Sequence, residues 1–313
     1  QMACENPAKF FPANSGLALK EGSMKGKIAL ITGGGTGIGK TIATTFAALG
    51  AKVAIAARRL DVLEKTAEEI RRATGGVCEA FKMDVKDAKQ VAEAIDAIEK
   101  KFGQTPNVLV NNAAGNFIMA TERLSDNAIS TVVDIVLKGT MRVTREIGVR
   151  CIKNGTGCAV LSITTPYARA GAPFVVPSAI SKSGVEIMTK SLSTEWAKYG
   201  LRFNVIAPGP FPTEGAFGRL STLTLEETAA AAATTVPLGR CGVLEELANL
   251  SAFLCSDYGN YISGAIIDMD GAQQHFNHGS SSKSSVLHEM TSEDWGRIED
   301  QIRGRTGKTK SKM

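Results

Sequence analysis

Ser178 and Lys182 form the most suggestive pair of chemical groups in this 313-residue sequence. They stand four residues apart in a stretch after Pro177 that reads as the opening of a helix, and such positions share one helix face. A hydroxyl and an ammonium so placed can hold a water molecule and raise the local positive charge. Tyr167, eleven residues before Ser178, carries a phenol, a far stronger acid than a serine hydroxyl. We therefore expect Tyr167 to be the main donor, with the other two in supporting roles.

Purely structural roles compete with these assignments. Ser178 follows Pro177 and is a fair candidate for a helix N-cap. Tyr167 can be a half-buried aromatic residue of a loop. Lys182 is the hardest to explain structurally, because a lysine at the ligand edge of a sheet is costly to desolvate.

A glycine-rich turn follows the first apolar run of the chain, at residues 32–39. Glycines there let the backbone turn tightly and approach a pyrophosphate, and the helix that follows directs its free N–H groups at the phosphates. A plain turn also uses glycine, but this position between strand and helix favours dinucleotide binding. The predicted contacts are Gly33, Thr36, Gly37, Ile38 and Gly39.

The end of the second apolar run indicates which dinucleotide binds. Arg58 and Arg59 stand there, and no acidic residue occurs before Asp61. An acid at this point would bind the ribose 2′-hydroxyl of NAD, whereas a guanidinium matches a 2′-phosphate, so the sequence favours NADPH over a merely solvated basic turn. Asp84, after the third run, can accept from the adenine amino group or can simply form a turn.

Short apolar runs alternate with longer amphipathic segments from Lys27 onward. This pattern predicts an α/β fold with a doubly wound parallel sheet of the Rossmann type, whose ligands bind at the carboxyl ends of the strands. The predicted strands are 28–32, 53–57, 79–83, 108–111, 158–163, 202–206 and 265–269, and the predicted helices include 60–74, 88–102, 124–152, 183–198 and 244–255. We expect one domain at 27–271, an irregular segment at 1–26, and a C-terminal extension at 272–313 with a short helix near 295–302 that a capping box at Thr291 begins.

Composition excludes several classes of protein. The net charge of +5 is mild, and no basic stripe interleaves with aromatic residues, which argues against nucleic-acid binding. The six cysteines are scattered without a Cys-x-x-Cys motif and the three histidines all lie beyond residue 270, so neither a metal site nor a disulfide framework is expected. No apolar run approaches the ~18 residues of a membrane span.

Three motifs together resemble the short-chain dehydrogenase/reductase family, over about residues 26–271. They are the 32–39 turn, Asn111-Asn112-Ala113-Ala114-Gly115 and Pro208-Gly209. Within that family the chain resembles the mitochondrial-type 2,4-dienoyl-CoA reductases, through Asn116-Phe117 and the segments 162–167, 174–178 with Lys182, and 215–220. That subgroup has the displaced tyrosine. The resemblance implies a homotetramer that reduces 2,4-dienoyl-CoA to trans-3-enoyl-CoA with NADPH during β-oxidation of unsaturated fatty acids.

The resemblance also implies site roles. Tyr167 and Asn116 would donate to the thioester oxygen, and Lys182 would reach the nicotinamide ribose. The other predicted substrate contacts are Phe117 and Phe174, at the acyl chain or in the core, and Ser125, at the pantetheine or as a helix cap. Arg58, Lys86 and Arg219 are predicted at CoA phosphates, and Pro208, Gly209, Pro210 and Phe211 beside the nicotinamide.

Three other functions stay open: a carbonyl or 3-ketoacyl reductase that uses Tyr167 differently, a non-catalytic NADPH-binding member, and a structural subunit of a reductase complex. Location is also open. The last residues, Ser311-Lys312-Met313, are a variant of the Ser-Lys-Leu peroxisomal address, whereas the subgroup it resembles is mitochondrial. Because residues 1–26 lack arginine and do not look like a transit peptide, we expect a peroxisome or a related organelle.

Overall fold

Seven parallel strands make one sheet in this computed structural model, which describes residues 6–215, 224–278 and 290–306. The spatial order β3-β2-β1-β4-β5-β6-β7 places β1 beside both β2 and β4, so the chain winds outward from β1 in two directions. The strands are β1 Ile28–Thr32, β2 Lys52–Ala57, β3 Val77–Lys82, β4 Val108–Asn111, β5 Cys158–Ile163, β6 Leu201–Pro208 and β7 Ile266–Met269. The predicted doubly wound α/β fold is confirmed.

Helices cover both faces of the sheet, as the two-sided burial of its central strands requires. The described helices are α1 Gly37–Ala48, α2 Leu60–Thr74, α3 Ala88–Phe102, α4 Asp126–Val133, α5 Thr140–Asn154, α6 Tyr167–Ala170, α7 Val176–Glu195, α8 Leu225–Ala233, α9 Leu244–Cys255, α10 Gln273–His278 and α11 Ser292–Thr306. One hydrophobic core joins α1, α2 and α9 to the sheet, and the other joins α3, α5 and α7. Every residue of β1, β4 and β5 is buried, which explains why each of these strands is apolar apart from one residue, Thr32, Asn111 and Ser162 respectively.

The single helix predicted at 124–152 was wrong. Ser125 caps α4 by accepting from the Ala128 N–H at 3.2 Å, and a π-helical segment, Asp134–Gly139, separates α4 from α5. A Cβ at Gly139 would lie 2.7 Å from Val85 Cγ2, so the wide segment fits closely against the chain after β3. A π segment adds a residue to one turn without altering the apolar composition, so periodicity does not reveal it.

The helix expected at 183–198 begins earlier. It starts at Val176 with Pro177 in its first turn, where a missing N–H costs nothing, and it ends at Glu195. Its N-cap is Val175, so the alternative role of Ser178 as an N-cap was wrong. The third strand also lies about two residues earlier than the predicted 79–83.

The N-terminal segment of the described chain packs on the domain. Met24 is fully buried, and Asn249 of α9 accepts from the Ala18 N–H at 3.0 Å and donates to the Gly16 carbonyl at 2.7 Å. The expected capping box is present before α11, where Thr291 and Asp294 exchange hydrogen bonds. Within the described ranges, no helix combines the length and the apolar character that crossing a membrane requires.

Candidate active site

The glycine turn after β1 has the geometry expected of a phosphate cradle. Gly33 and Gly37 have φ of 67° and 52°, which favour glycine. A Cβ at Gly39 would lie 2.4 Å from the Gly33 carbonyl oxygen, so only glycine fits there. Thr36 precedes α1 without a capping hydrogen bond from its side chain, which leaves the first N–H groups of α1 for a ligand. The residues present therefore fit the pyrophosphate of a nicotinamide dinucleotide.

Hydrogen bonds from the chain after β4 hold this turn in place. Thr32 Oγ1 accepts from the N–H groups of Asn112 and Ala113, both at 3.0 Å, and the Asn112 amide donates to the carbonyls of Thr32 and Gly33 at 3.1 and 3.2 Å. These bonds cross the gap between β1 and β4, the point at which the strand order diverges. Ligands of doubly wound sheets bind at this point.

The residues predicted to choose the cofactor lie at the ends of β2 and β3. Arg58 and Arg59 are exposed directly after β2. Asp84 accepts from the Lys86 N–H at 3.0 Å, so it does form the turn that was its alternative role, and its second oxygen is not used by that bond. Lys86 is exposed on the same edge. Two guanidinium groups and one ammonium thus lie on the β2–β3 side of the cradle.

Tyr167, Asn116 and Ser178 meet in one cluster, although they come from three separate elements. The Asn116 amide Nδ2 donates to the Tyr167 hydroxyl at 3.3 Å, and the hydroxyls of Tyr167 and Ser178 are 3.2 Å apart. The Asn116 side-chain carbonyl accepts from the Phe117 N–H at 2.9 Å, which turns the amide nitrogen toward Tyr167. Two donors of different chemical type therefore converge on one point.

Lys182 lies one turn after Ser178 on α7 and is almost completely buried. Its Nζ donates to the Ile163 carbonyl, the last of β5, at 2.5 Å. Burial lowers the pKa of Lys182 to about 8 from its ordinary value of about 10.5. An ammonium whose charge is this weakly compensated can bind hydroxyl groups of a sugar or support a proton donor.

The other predicted contacts are distributed unevenly. Phe174 is 54% exposed with φ of 66°, so it does not fill the core, and its carbonyl accepts from the Met119 N–H at 2.9 Å. Ser125 is the N-cap of α4, as its alternative role required. The Phe211 ring is buried against Gly242, which leaves Pro208, Gly209 and Pro210 to border the sheet edge. Arg219 lies outside the described residues, and so do Ser311-Lys312-Met313.

Sequence reasoning missed a charged cluster close to Tyr167. Arg169, two residues after Tyr167, contacts both Glu186 on α7 and Asp268 on β7. Glu186 follows Lys182 by four residues and is 3% exposed, so Ser178, Lys182 and Glu186 form one buried polar stripe along α7. The i, i+4, i+8 spacing of three polar residues in an otherwise half-apolar helix was the available signal.

Comparisons with known proteins agree on the type of fold and chemistry. Residues 33–272 match the family model described as enoyl-(acyl carrier protein) reductase. An uncharacterized oxidoreductase of Caenorhabditis elegans is 65% identical over 98% of each chain, and a protein of the same organism named probable 2,4-dienoyl-CoA reductase 3 [(3E)-enoyl-CoA-producing] is 62% identical over 99% of this chain and 100% of its own. The peroxisomal 2,4-dienoyl-CoA reductase of Danio rerio is 34% identical over 78% of this chain and 80% of its own. The crystal structure of a short chain dehydrogenase from Bacillus anthracis is 42% identical, with a TM-score of 0.75 over 82% of this chain and 99% of that one.

The burial of Lys182 predicts a pH-dependent stability. Below about pH 8, Lys182 is protonated in both the folded and the unfolded chain, so folding bears the full cost of desolvating the ammonium. Between about pH 8 and 10.5, Lys182 binds more protons in the unfolded chain than in the folded one. The free energy of unfolding therefore rises with pH in this range. Lys182→Met removes this term. At about 1.4 kcal/mol per pKa unit, the free energy of unfolding of Lys182→Met relative to wild type should fall by at most about 3 kcal/mol between pH 7 and pH 10.5.

Urea unfolding of the ligand-free protein at several pH values measures this difference. Lys190→Met is the matched control, because Lys190 is exposed on the same helix and its replacement should leave the pH profile of the wild type intact. Parallel pH profiles for wild type and Lys182→Met would contradict the assignment of a desolvated ammonium.

Proposed function

Because this chain belongs to the short-chain dehydrogenase/reductase family, whose members are oxidoreductases that bind nicotinamide cofactors, we propose that it reduces 2,4-dienoyl-CoA to trans-3-enoyl-CoA with NADPH. One observation carries the proposal. The Tyr167 phenol lies beside the Asn116 amide. In the sequence Tyr167 is eleven residues before Ser178, and Ser178 occupies the position one turn before Lys182. A donor pair of this kind suits a thioester oxygen better than the simple carbonyl of an alcohol dehydrogenase substrate.

The chemistry of a conjugated thioester explains the need for two donors. A bound NADPH would supply a hydride to the far carbon of the diene, so the residues of this site would have to stabilise the negative charge that this addition places on the thioester oxygen. Preorganised donors aimed at that oxygen give the largest electrostatic stabilisation available to a site. With its hydroxyl 3.3 Å from the Asn116 amide nitrogen, Tyr167 can share one acceptor oxygen with Asn116.

The product forms only when the α-carbon gains a proton. Ser178 is within 3.2 Å of the Tyr167 hydroxyl and shares a helix face with Lys182, so the pair can hold a water molecule on that side. The low pKa of about 8 lets Lys182 lose and regain a proton near neutral pH, and its position at the end of β5 suits a sugar hydroxyl as well. Proton delivery and ribose binding would then depend on one side chain.

The names of two relatives support this substrate. Proteins with 62% and 34% identity carry names of 2,4-dienoyl-CoA reductases that produce (3E)-enoyl-CoA. Reduction of a 2,4-diene is an auxiliary step in the β-oxidation of unsaturated fatty acids, which is the process we propose for this chain. The test measures the oxidation of NADPH by its absorbance, with 2,4-hexadienoyl-CoA and with 3-ketoacyl-CoA as substrates. Turnover of the first compound alone supports the proposal. Binding of NADPH without turnover of either compound would contradict it.

NADPH is proposed on the charges after β2. The exposed side chains of Arg58 and Arg59 can form a fork for the 2′-phosphate, and the domain places no carboxylate at the strand end itself. CoA phosphates carry similar chemistry, so we propose that Lys86 and Arg219 take that end of the substrate, and that Phe117, Phe174 and Ser125 border its acyl and pantetheine parts.

The assembly is proposed to be a homotetramer. An open groove of about 780 Å³ runs between α5 and α7, and Met141 and Ile187 stand 45% and 61% exposed along it. Arg145 and Glu195 border the same groove with opposite charges, which suits antiparallel pairing with a second copy. Sedimentation equilibrium measures the state directly.

The donor assignment predicts distinct kinetic effects. Tyr167→Phe removes a hydrogen bond made mainly in the transition state, so kcat should fall by about 10²–10³ with little change in KM, and Asn116→Ala should behave alike. Ser178→Ala is the comparison, with a smaller loss because a neighbouring water can substitute. Single-turnover NADPH oxidation reports the step itself. Full activity in Tyr167→Phe would contradict the mechanism and leave Ser178 and Lys182 as the acid.

The cofactor assignment predicts that wild type prefers NADPH over NADH and that Arg58→Ala loses much of this preference, because a guanidinium–phosphate pair is removed while the rest of the dinucleotide is bound unchanged. The measurement is KM for both cofactors. Arg72→Ala is the control, since Arg72 is also exposed but pairs with Glu68 on α2. Equal KM values in the wild type would refute the assignment.

The location is proposed to be a peroxisome or a related organelle, on the basis of the C-terminal Ser311-Lys312-Met313. A fluorescent protein fused to the N-terminus, which leaves the tail free, should reach the organelle, and the same fusion without Met313 should not. Mitochondrial staining that is identical in both fusions would contradict the address.

A further inference from the structure

Arg169, Glu186 and Asp268 form an ionic cluster that the reaction proposed above does not use. Arg169 donates to both carboxylate oxygens of Asp268, from Nη1 at 2.8 Å and from Nη2. Its Nε lies 3.2 Å from Glu186 Oε2. One guanidinium therefore joins a strand at the edge of the sheet to the helix that carries Lys182.

The cluster attaches the shortest helix of the site. α6 has four residues, Tyr167–Ala170, and it closes on itself through the Gly171 N–H, which donates to the Tyr167 carbonyl at 2.9 Å. A single turn has too few internal bonds to be stable alone. The orientation of Tyr167 must therefore come from contacts that α6 makes with the rest of the protein.

Besides the contact between the hydroxyls of Tyr167 and Ser178, two further contacts run from α6 to α7. Ser183 donates to the carbonyl of Ala168, the residue after Tyr167, and Arg169 contacts Glu186. Glu186 is itself fixed, because its Oε1 accepts from Thr164 Oγ1 at 2.9 Å just after β5. These bonds thus connect α6, which carries Tyr167, to α7, which carries Lys182, through the fixed carboxylate of Glu186.

The electrostatics favour a fixed geometry for Arg169. Burial raises the pKa of Glu186, while the hydrogen bond from Thr164 and the charge of Arg169 oppose that rise. A carboxylate that is 3% exposed needs these partners, and a guanidinium fork holds two carboxylates at defined angles in a way that a flexible ammonium does not.

We propose that Arg169 is a positioning residue, which holds the turn of Tyr167 against α7 through Glu186 and Asp268 so that the phenol meets the Asn116 amide at the substrate oxygen. The expected effect on turnover rests on the proposed function. The ordering of the turn that carries Tyr167 does not depend on that function. A small displacement of a hydrogen-bond donor lowers the rate of a reaction by a large factor. Loss of the Arg169 guanidinium should therefore lower kcat more than it weakens binding.

The test compares Arg169→Ala and Arg169→Lys with Arg150→Ala in the full chain. Arg150 is the matched control, because it pairs with Asp96, Glu99 and Glu146 between α3 and α5, away from Tyr167. We expect kcat of Arg169→Ala to fall about 10- to 100-fold with KM for NADPH within about 2-fold, a smaller loss in Arg169→Lys, and no change of kcat in Arg150→Ala. In the Tyr167→Phe background, Arg169→Ala should cost less than about 3-fold, since it acts through the phenol.

A second readout does not need activity. Hydrogen exchange of residues 167–171 should accelerate at least about 10-fold in Arg169→Ala and stay unchanged in Arg150→Ala. If wild type does not reduce 2,4-dienoyl-CoA, the proposed function fails and this exchange still decides the ordering role. Unchanged exchange, kcat within about 2-fold of wild type, or an equal loss in the Tyr167→Phe background would each overturn the proposal. If Arg169→Ala does not fold, Arg169→Lys carries the same comparisons.

Discussion

The hydrogen bond from Lys182 Nζ to the Ile163 carbonyl is the interaction on which the rest of the site depends. It fastens α7 to the end of β5, and it does so with a charged group that burial penalises. A well-packed sheet can hold such a group because both faces are covered by apolar helices. This bond also sets where Ser178 and Glu186, one turn to either side of Lys182 on α7, lie relative to the end of β5.

In the proposed mechanism, the stripe on α7 lets the displaced Tyr167 act together with Lys182. A phenol one turn before the lysine would belong to α7 itself, and it would act on an oxygen directly above that helix. Here the phenol belongs to α6, and its hydroxyl lies 3.2 Å from that of Ser178 on α7. The change moves the donor toward Asn116, on the chain that follows β4. In a conjugated thioester, the carbon that accepts the hydride is farther from the charged oxygen than in a simple carbonyl compound. The position of the phenol near Asn116 fits this wider separation.

The large-scale features were predictable because each depends on local sequence. Apolar runs defined the starts of all seven strands to within two residues, and the glycines of the 32–39 turn followed from their position after β1. The π segment and the ionic cluster were not predictable, because the first depends on close packing at Gly139 and the second joins residues 99 positions apart. Short-chain dehydrogenase/reductase membership was readable from motifs and is confirmed; cofactor choice, site roles and location stay predictions, and Arg219 with the C-terminal tripeptide lies beyond the described ranges.

Strain and stability are distributed unequally in this fold. Phe174 adopts φ of 66° with its side chain 54% exposed, a conformation that costs free energy for a non-glycine residue. Its carbonyl accepts from the Met119 N–H, which ties the segment before α7 to the segment after Asn116. The strained residue thus connects the segment between α6 and α7 with the loop that carries Asn116, while the buried strands supply the stability that tolerates it. Because Tyr167 lies on the four-residue helix α6, its geometry depends on cross-links such as that of Arg169 rather than on helix propensity.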